Sequence, residues 1–360
     1  MRTLNFLYTN KIYSNKGNYY ISRPLVFNEL AKHLNLLMYG DIIKVNNIDK
    51  SKLNIISNKI NVKQLCPISK IKGTNPSLLQ YPTTFKDIVL CYLLRKEPGI
   101  IWVKANPIEY HLSFLLYNKF SKLFYKPLKL VLEKVFDKFS TWLFKGKLVF
   151  YTGDITFDKL NNKTQFSIVS SVIKEEEIKE EEDKLTNNII FVGNITKQKG
   201  IDFLIKSMLE FPSKTLNIVG DGPYYKTLKE KYQKIKNIHF LGPEYDRKKL
   251  LQLIHVHDIL VMPSLTEKQG KVQLEAMSQG VPVIASDLKG IRSVIKDNEN
   301  GVLVKPASSE HITIGIIRLY NNHDLYEKIK INGYKTARKN TMEAQVEFMV
   351  NKINEFEFEK

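Results

Sequence analysis

Two glutamates, Glu267 and Glu275, stand in the stretch Met262–Ser286, MPSLTEKQGKVQLEAMSQGVPVIAS, with seven residues between them. A strand is predicted to end at Pro263 and Ser264, a loop to carry Glu267 and Gly270, and a helix to begin near Lys271 and carry Glu275. Gly270 has no Cβ, so backbone there can approach a ligand closely. The amides of Gly270, Lys271 and Val272 open the predicted helix, where unpaired donors and the helix dipole favour phosphate. A carboxylate one turn further in, at Glu275, suits two hydroxyl donors such as a ribose edge, and Glu267 could serve a hexose in the same way. The bland alternative is a chance pair, because glutamates at this separation are common.

The elements around this stretch are those of a parallel sheet. Short apolar runs recur at NIIFVG (188–193), TLNIVG (215–220), IHFLG (238–242), DILVMPS (258–264), VPVIAS (281–286) and GVLVK (301–305), with segments of helical period such as 201–210 and 248–256 between them. Strands alternating with helices indicate βαβ units, whose ligands sit at the C-terminal strand ends. The first half reads as α/β too. Its expected strands are 3–9, 41–46, 99–104 and 147–152, and its expected helices are 24–35 and 110–120. Residues 174–184, KEEEIKEEEDK, read as a solvated block joining two domains.

The division is therefore 1–173 as a first Rossmann-like domain, 174–187 as an acidic linker and 188–340 as a second Rossmann-like domain. Residues 341–360 form a terminal helix able to cross back to the first domain. Two such domains should enclose a cleft.

Composition narrows the class. The chain has 360 residues, 43% hydrophobic and 26% charged, which suits two globular domains rather than disorder. No signal-peptide pattern and no long uncharged apolar run appear. Cys66 and Cys91 lack metal-type spacing and are expected to be reduced thiols in a cytoplasmic protein. The pair His255 and His257, without a third ligand, is read as packed or surface histidine, so no metal is expected. There is no G-x-x-x-x-G-K-[ST] loop and no G-x-S-x-G elbow.

The formal net charge is +18, and residues 1–185 carry 29 Lys+Arg against 17 Asp+Glu. A basic surface suits nucleic acid, anionic lipid or an acidic polymer, but also follows from a Lys-rich coding bias. No RRM, KH or helix-turn-helix signature is present, and nucleic acid is not an expected partner. Within 120–144, large apolar residues including Val131, Val135, Phe139 and Trp142 follow helical spacing, with lysines on the other faces. An anionic membrane surface and a packed core are both open readings of that stripe. Trp102 and Trp142 are expected to pack.

The whole 262–286 pattern resembles the E-x7-E signature of the retaining family 4 glycosyltransferases, in their polysaccharide-biosynthesis branch. Further pieces carry the resemblance. FVGNITKQKG (191–200) is similar to the family's strand–G-R-x-x-x-x-K-G loop for the donor diphosphate, with Gly193, Lys199 and Gly200 on matching positions and Asn194 where arginine is usual. IVGDGP (218–223) resembles a turn found after the next strand and reads as structural.

The resemblance implies an α/β GT-B fold, two Rossmann-like domains facing each other across a cleft. It implies a hexosyltransferase that moves a sugar from a nucleotide-sugar donor to a glycan or lipid-linked acceptor, with retention and without a metal. The nucleotide-sugar is a substrate, and no cofactor is implied. Glu267 and Lys199 would be the catalytic pair, Glu267 on the sugar and Lys199 on the departing diphosphate. Gly193, Asn194, Lys199, Gly270, Lys271, Val272 and Glu275 would bind the donor, and Lys199 should be exposed in the empty protein.

On the acceptor side, the family's glycine-rich loop is reduced to Lys16-Gly17, and Lys104 and Asn106 stand in for a histidine that is not found after a strand. The setting implied is the cytoplasm, including the inner face of the membrane. The departures at Asn194 and in the first domain keep an alternative open: a degenerate, non-catalytic sugar-nucleotide-binding subunit.

Overall fold

The computed structural model describes residues 2–15, 18–21, 25–44, 54–64, 76–81, 89, 91–103, 131, 134–135, 138–152, 164–169, 171–180, 186–267 and 269–357. The chain divides into two compact units, Met1–Ile168 with Val346–Lys360, and Val169–Gln345.

Among the described residues, the first unit is built on a nine-stranded sheet ordered β4-β2-β1-β6-β7-β8-β9, with β3 pairing β1 and β5. The strands are β1 (Thr3–Asn15), β2 (Asn18–Ile21), β3 (Asn35–Lys44), β4 (Asn54–Ile55), β5 (Asn61–Gln64), β6 (Ser77–Tyr81), β7 (Gly99–Val103), β8 (Leu148–Thr152) and β9 (Gln165–Ile168). β1, β3, β6, β7, β8 and β9 form parallel pairs, whereas β2 returns antiparallel on β1.

The helix expected over 24–35 is shorter in the structure. Helix α1 spans Leu25–Leu30, and β3 already begins at Asn35 because its backbone pairs with Thr3. The helix expected over 110–120 lies outside the described residues. Leu4, Phe6, Phe27, Leu36, Met38, Ile100, Trp102 and Phe150 form the core, joined by Val346, Met349, Val350 and Ile353 of the C-terminal helix α9 (Met342–Glu355). Arg2 donates to the carbonyls of Ile353 and Phe356 at 2.7 and 2.9 Å, tying the ends of this unit together.

In the second unit, six parallel strands run in the order β12-β11-β10-β13-β14-β15. They are β10 (Asn188–Val192), β11 (Thr215–Val219), β12 (Ile238–Gly242), β13 (Ile259–Met262), β14 (Val283–Ser286) and β15 (Val302–Val304). The helices are α2 (Ile201–Met208), α3 (Tyr225–Tyr232), α4 (Arg247–His255), α5 (Val272–Ser278), α6 (Lys289–Arg292), α7 (Ser309–Asn321) and α8 (His323–Lys339).

Strand alternation feeds two cores. Ile189, Phe191, Val261 and Ile284 pack on one face with Leu204, Ile205 and Ile316. Ile190, Leu260, Met262, Val283 and Ala285 pack on the other with Leu274 and Met277. A sheet covered on both faces explains why its strands read as unbroken apolar runs. The order reverses between β10 and β13, so the loops after those strands flank the switch-point crevice where α/β sheets bind ligands.

Residues 174–180 are not a free solvated block. Glu175–Glu177 form a short 3-10 turn, and the Lys179 amide donates to Ser278 O at 3.0 Å. Cys91 is buried, while Cys66 lies outside the described residues. Among the described residues no helix is long and apolar enough to cross a membrane, and no group of acids, histidines and cysteines is arranged to hold a metal.

Candidate donor site in the second unit

The loop after β10 is pinned from both sides. On one side the Ile195 amide donates to Asp221 O at 2.8 Å and the Tyr224 amide to Ile195 O at 3.0 Å, so IVGDGP is a turn that braces this loop. On the other, the Leu265 amide donates to Gln198 O at 2.7 Å. Gly200 closes the loop and caps the start of α2. Its φ is +65°, and a Cβ there would lie 2.1 Å from Pro263 O. Only glycine allows both that conformation and that approach.

These contacts bring Lys199 against Glu267, across 68 positions of sequence, and the ammonium forms an ion pair with Glu267 Oε2. The Lys199 side chain is 28% exposed and that of Glu267 14%. Lys199 is thus not the exposed lysine expected. It is half-buried and already holds a carboxylate. Gly270 has φ +71°, and α5 starts two residues later at Val272 with Lys271 at its N-cap.

Glu275, on α5, is buried. Its Oε1 accepts from Arg247 Nη1 at 2.9 Å. Arg247 is the first residue of α4, set by Asp246, whose side chain accepts from the Lys248 and Lys249 amides at 2.9 and 3.2 Å. Such a cap is worth about 1 kcal/mol. The same guanidinium chelates Glu177 at 2.6 and 2.8 Å.

Burial alone would push the Glu177 carboxyl up. Hydrogen bonds from Arg247 and from the Lys174 amide outweigh it and hold the group below the usual range. Burial would likewise lower the Arg247 value, but Glu177 and Glu275 raise it, so the guanidinium stays charged.

Sequence reasoning missed Arg247 and Glu177. The capping sequence Asp246-Arg247 marks a helix start, but nothing local ties it to carboxylates 28 and 70 positions away.

Asn194 is exposed and lies against Gly222, where an added Cβ would fall 2.4 Å from Asn194 Oδ1. Lys16, Gly17, Lys104 and Asn106 lie outside the described residues. His257 is packed: its Nδ1 lies 2.6 Å from Leu253 O and its Nε2 2.7 Å from the Asn217 amide nitrogen. His255 Nδ1 lies 3.1 Å from Gln279 O. Trp102 is buried, whereas Trp142 is 51% exposed and packs at the surface against the Tyr92 and Phe139 rings.

Residues 172–336 match the family described as glycosyl transferases group 1. The curated relatives include an uncharacterized glycosyltransferase of Methanocaldococcus jannaschii, 35% identical over 41% of this chain and 39% of that protein. The putative glycosyltransferase EpsD of Bacillus subtilis is 34% identical over 39% of this chain and 37% of its own length. These alignments therefore span less than half of the relatives' lengths.

Among solved structures, Anabaena HepE in complex with UDP superposes with a TM-score of 0.67 at 16% identity, over 99% of this chain and 100% of that one. WaaG, a glycosyltransferase involved in lipopolysaccharide biosynthesis, superposes with 0.57 at 15% identity, over 98% and 100%. At these identities the likeness concerns the fold. The protein has the GT-B fold class of two Rossmann-like units, and its residues 172–336 match the glycosyl transferases group 1 family.

Proposed function

We propose that the protein is a hexosyltransferase that moves a sugar from a nucleotide-sugar donor to a glycan or lipid-linked acceptor in cell-surface polysaccharide biosynthesis. The observation that carries this reading is the Lys199–Glu267 ion pair at the β10–β13 switch point, inside the group 1 domain. An ammonium there neutralises a departing diphosphate, and the backbone from Gly270 to Val272 adds donors for the same charge. Glu267 then turns to the sugar, and Glu275 fixes the nucleoside. Transfer proceeds with retention, through an oxocarbenium-like transition state. The leaving charge is carried by Lys199 and these amides without a metal, and the nucleotide-sugar is the only small molecule required.

The setting we propose is the cytoplasm, at the inner face of an anionic membrane. In support, Val131, Val135, Phe139 and Trp142 are exposed, and Arg95 stacks on the Tyr92 and Trp142 rings at 4.2 and 5.7 Å. Apolar and cationic groups side by side suit the headgroup region.

A second reading has one specific observation behind it. Asn194 cannot supply the charge-assisted contact that a guanidinium gives a phosphate, which suits a non-catalytic sugar-nucleotide-binding subunit. A screen of nucleotide-sugars for nucleoside diphosphate release, with and without a lipid-linked acceptor, separates the two. Release on addition of acceptor supports the transferase. Binding without release supports the subunit.

A further inference from the structure

Glu177 belongs to the acidic segment that sequence alone assigns to a linker, yet it is held at four points. Arg247 chelates its carboxylate at 2.6 and 2.8 Å, the Lys174 amide donates to Oε2 at 2.8 Å, and Gln279 Nε2 donates to its carbonyl at 2.7 Å. That anchorage fixes the guanidinium plane, because a chelated arginine has little rotational freedom left. The third contact of Arg247 is Glu275 Oε1 at 2.9 Å. Among the described residues Glu275 Oε2 receives no protein hydrogen bond, so it is the oxygen left to a ligand. Two carboxylates and one guanidinium leave a single negative charge on the cluster. Such a charge accepts from hydroxyls and repels phosphate.

We propose that Arg247, anchored by Glu177, is a positioning residue for the nucleoside end of the donor site. It turns Glu275 so that Oε2 meets an unsubstituted ribose diol, and it thereby sets the preference for ribose over deoxyribose. This rests on the donor-site reading of Glu275 given above. Arg247 and Glu177 act through Glu275 and touch no reacting atom. The 174–180 segment is then part of the site's scaffold.

The test is calorimetric titration with UDP, GDP and ADP and their 2′-deoxy forms, on wild type, Glu177→Gln, Arg247→Lys and Tyr326→Phe. The last removes a buried hydrogen bond to Asp258 O, outside the cluster, and controls for general loss of stability. Wild type should bind the ribose form of one diphosphate at least about tenfold tighter than its deoxy form, since the missing 2′-hydroxyl takes away one of the two donors to a buried carboxylate. In Glu177→Gln and Arg247→Lys that ratio should fall to about threefold or less, and in Tyr326→Phe it should persist. The conservative Arg247→Lys keeps the charge and the fold while losing the chelate. An unchanged ratio in both cluster variants overturns the positioning role while the donor-site reading stands. Wild type that binds none of the diphosphates, or both forms equally, overturns the Glu275 reading itself and this inference with it.

Discussion

At the scale of single residues, the ion pair between Lys199 and Glu267 makes each, in the proposed site, the other's competitor for ligand. Replacing Glu267 with Gln removes the carboxylate that Lys199 holds, so nucleoside diphosphate should bind several-fold tighter while sugar transfer falls. Titration calorimetry beside a turnover assay reads both, and weaker binding in this variant would mean that Lys199 does not meet the phosphates. Lys199→Ala should weaken diphosphate binding by at least about tenfold, the usual size of a lost charge-assisted hydrogen bond of about 1.5–3 kcal/mol. A fall in melting temperature as large as a core deletion, with affinity unchanged, would make it a structural lysine instead. Asn194 is exposed beside the same loop, and Asn194→Arg should raise diphosphate affinity if the loop takes the geometry of its relatives. No gain in calorimetry would show that it does not.

The elements carry a second group of consequences. Gly200→Ala places a methyl 2.1 Å from Pro263 O at φ +65°, so it should destabilise the second unit by a few kcal/mol and loosen the loop that presents Lys199. Denaturant melts of the full chain measure the first effect. His257 gives a pH dependence. Burial lowers its value below 6.5, so the folded state keeps the imidazole neutral while the unfolded chain takes up the proton. That contribution is complete above about pH 6.5 and is lost as pH falls towards the folded value. Between pH 7 and 5, stability should therefore fall more steeply in wild type than in His257→Gln, and parallel curves would contradict the assignment.

Most of the second unit's strands were legible because β10, β13 and β14 are buried on both faces and several of the runs end in Gly, Pro or Ser. β2, β4, β5, β6 and β9 were not. They run from two to five residues, and segments such as NVKQ and QFSI lack an apolar signature. Glu267, Glu275 and Lys199 were legible through their motifs. The contacts of Arg247 with Glu177 and Glu275 were not, because they exist only once α4, α5 and the 174–180 segment have come together.

For the whole molecule, charge is the least local property. The excess of Lys and Arg over residues 1–168, 26 against 10 Asp+Glu, and the exposed Trp142 face lie in the same unit. Co-sedimentation with anionic vesicles should be strong at 0.1 M salt and weak at 1 M, where the Debye length drops from about 10 Å to about 3 Å. Equal binding to neutral vesicles, or none to either, would return that face to an ordinary solvated surface. The central claim is narrower, that the second unit holds a nucleotide-sugar between Lys199, Glu267 and Glu275. Titrating a panel of nucleotide-sugars into wild type and Glu275→Ala tests it most directly. The account predicts saturable binding of at least one donor by wild type, weakened about tenfold or more in the variant. Binding of equal strength in both, or binding of no donor by wild type, would contradict it.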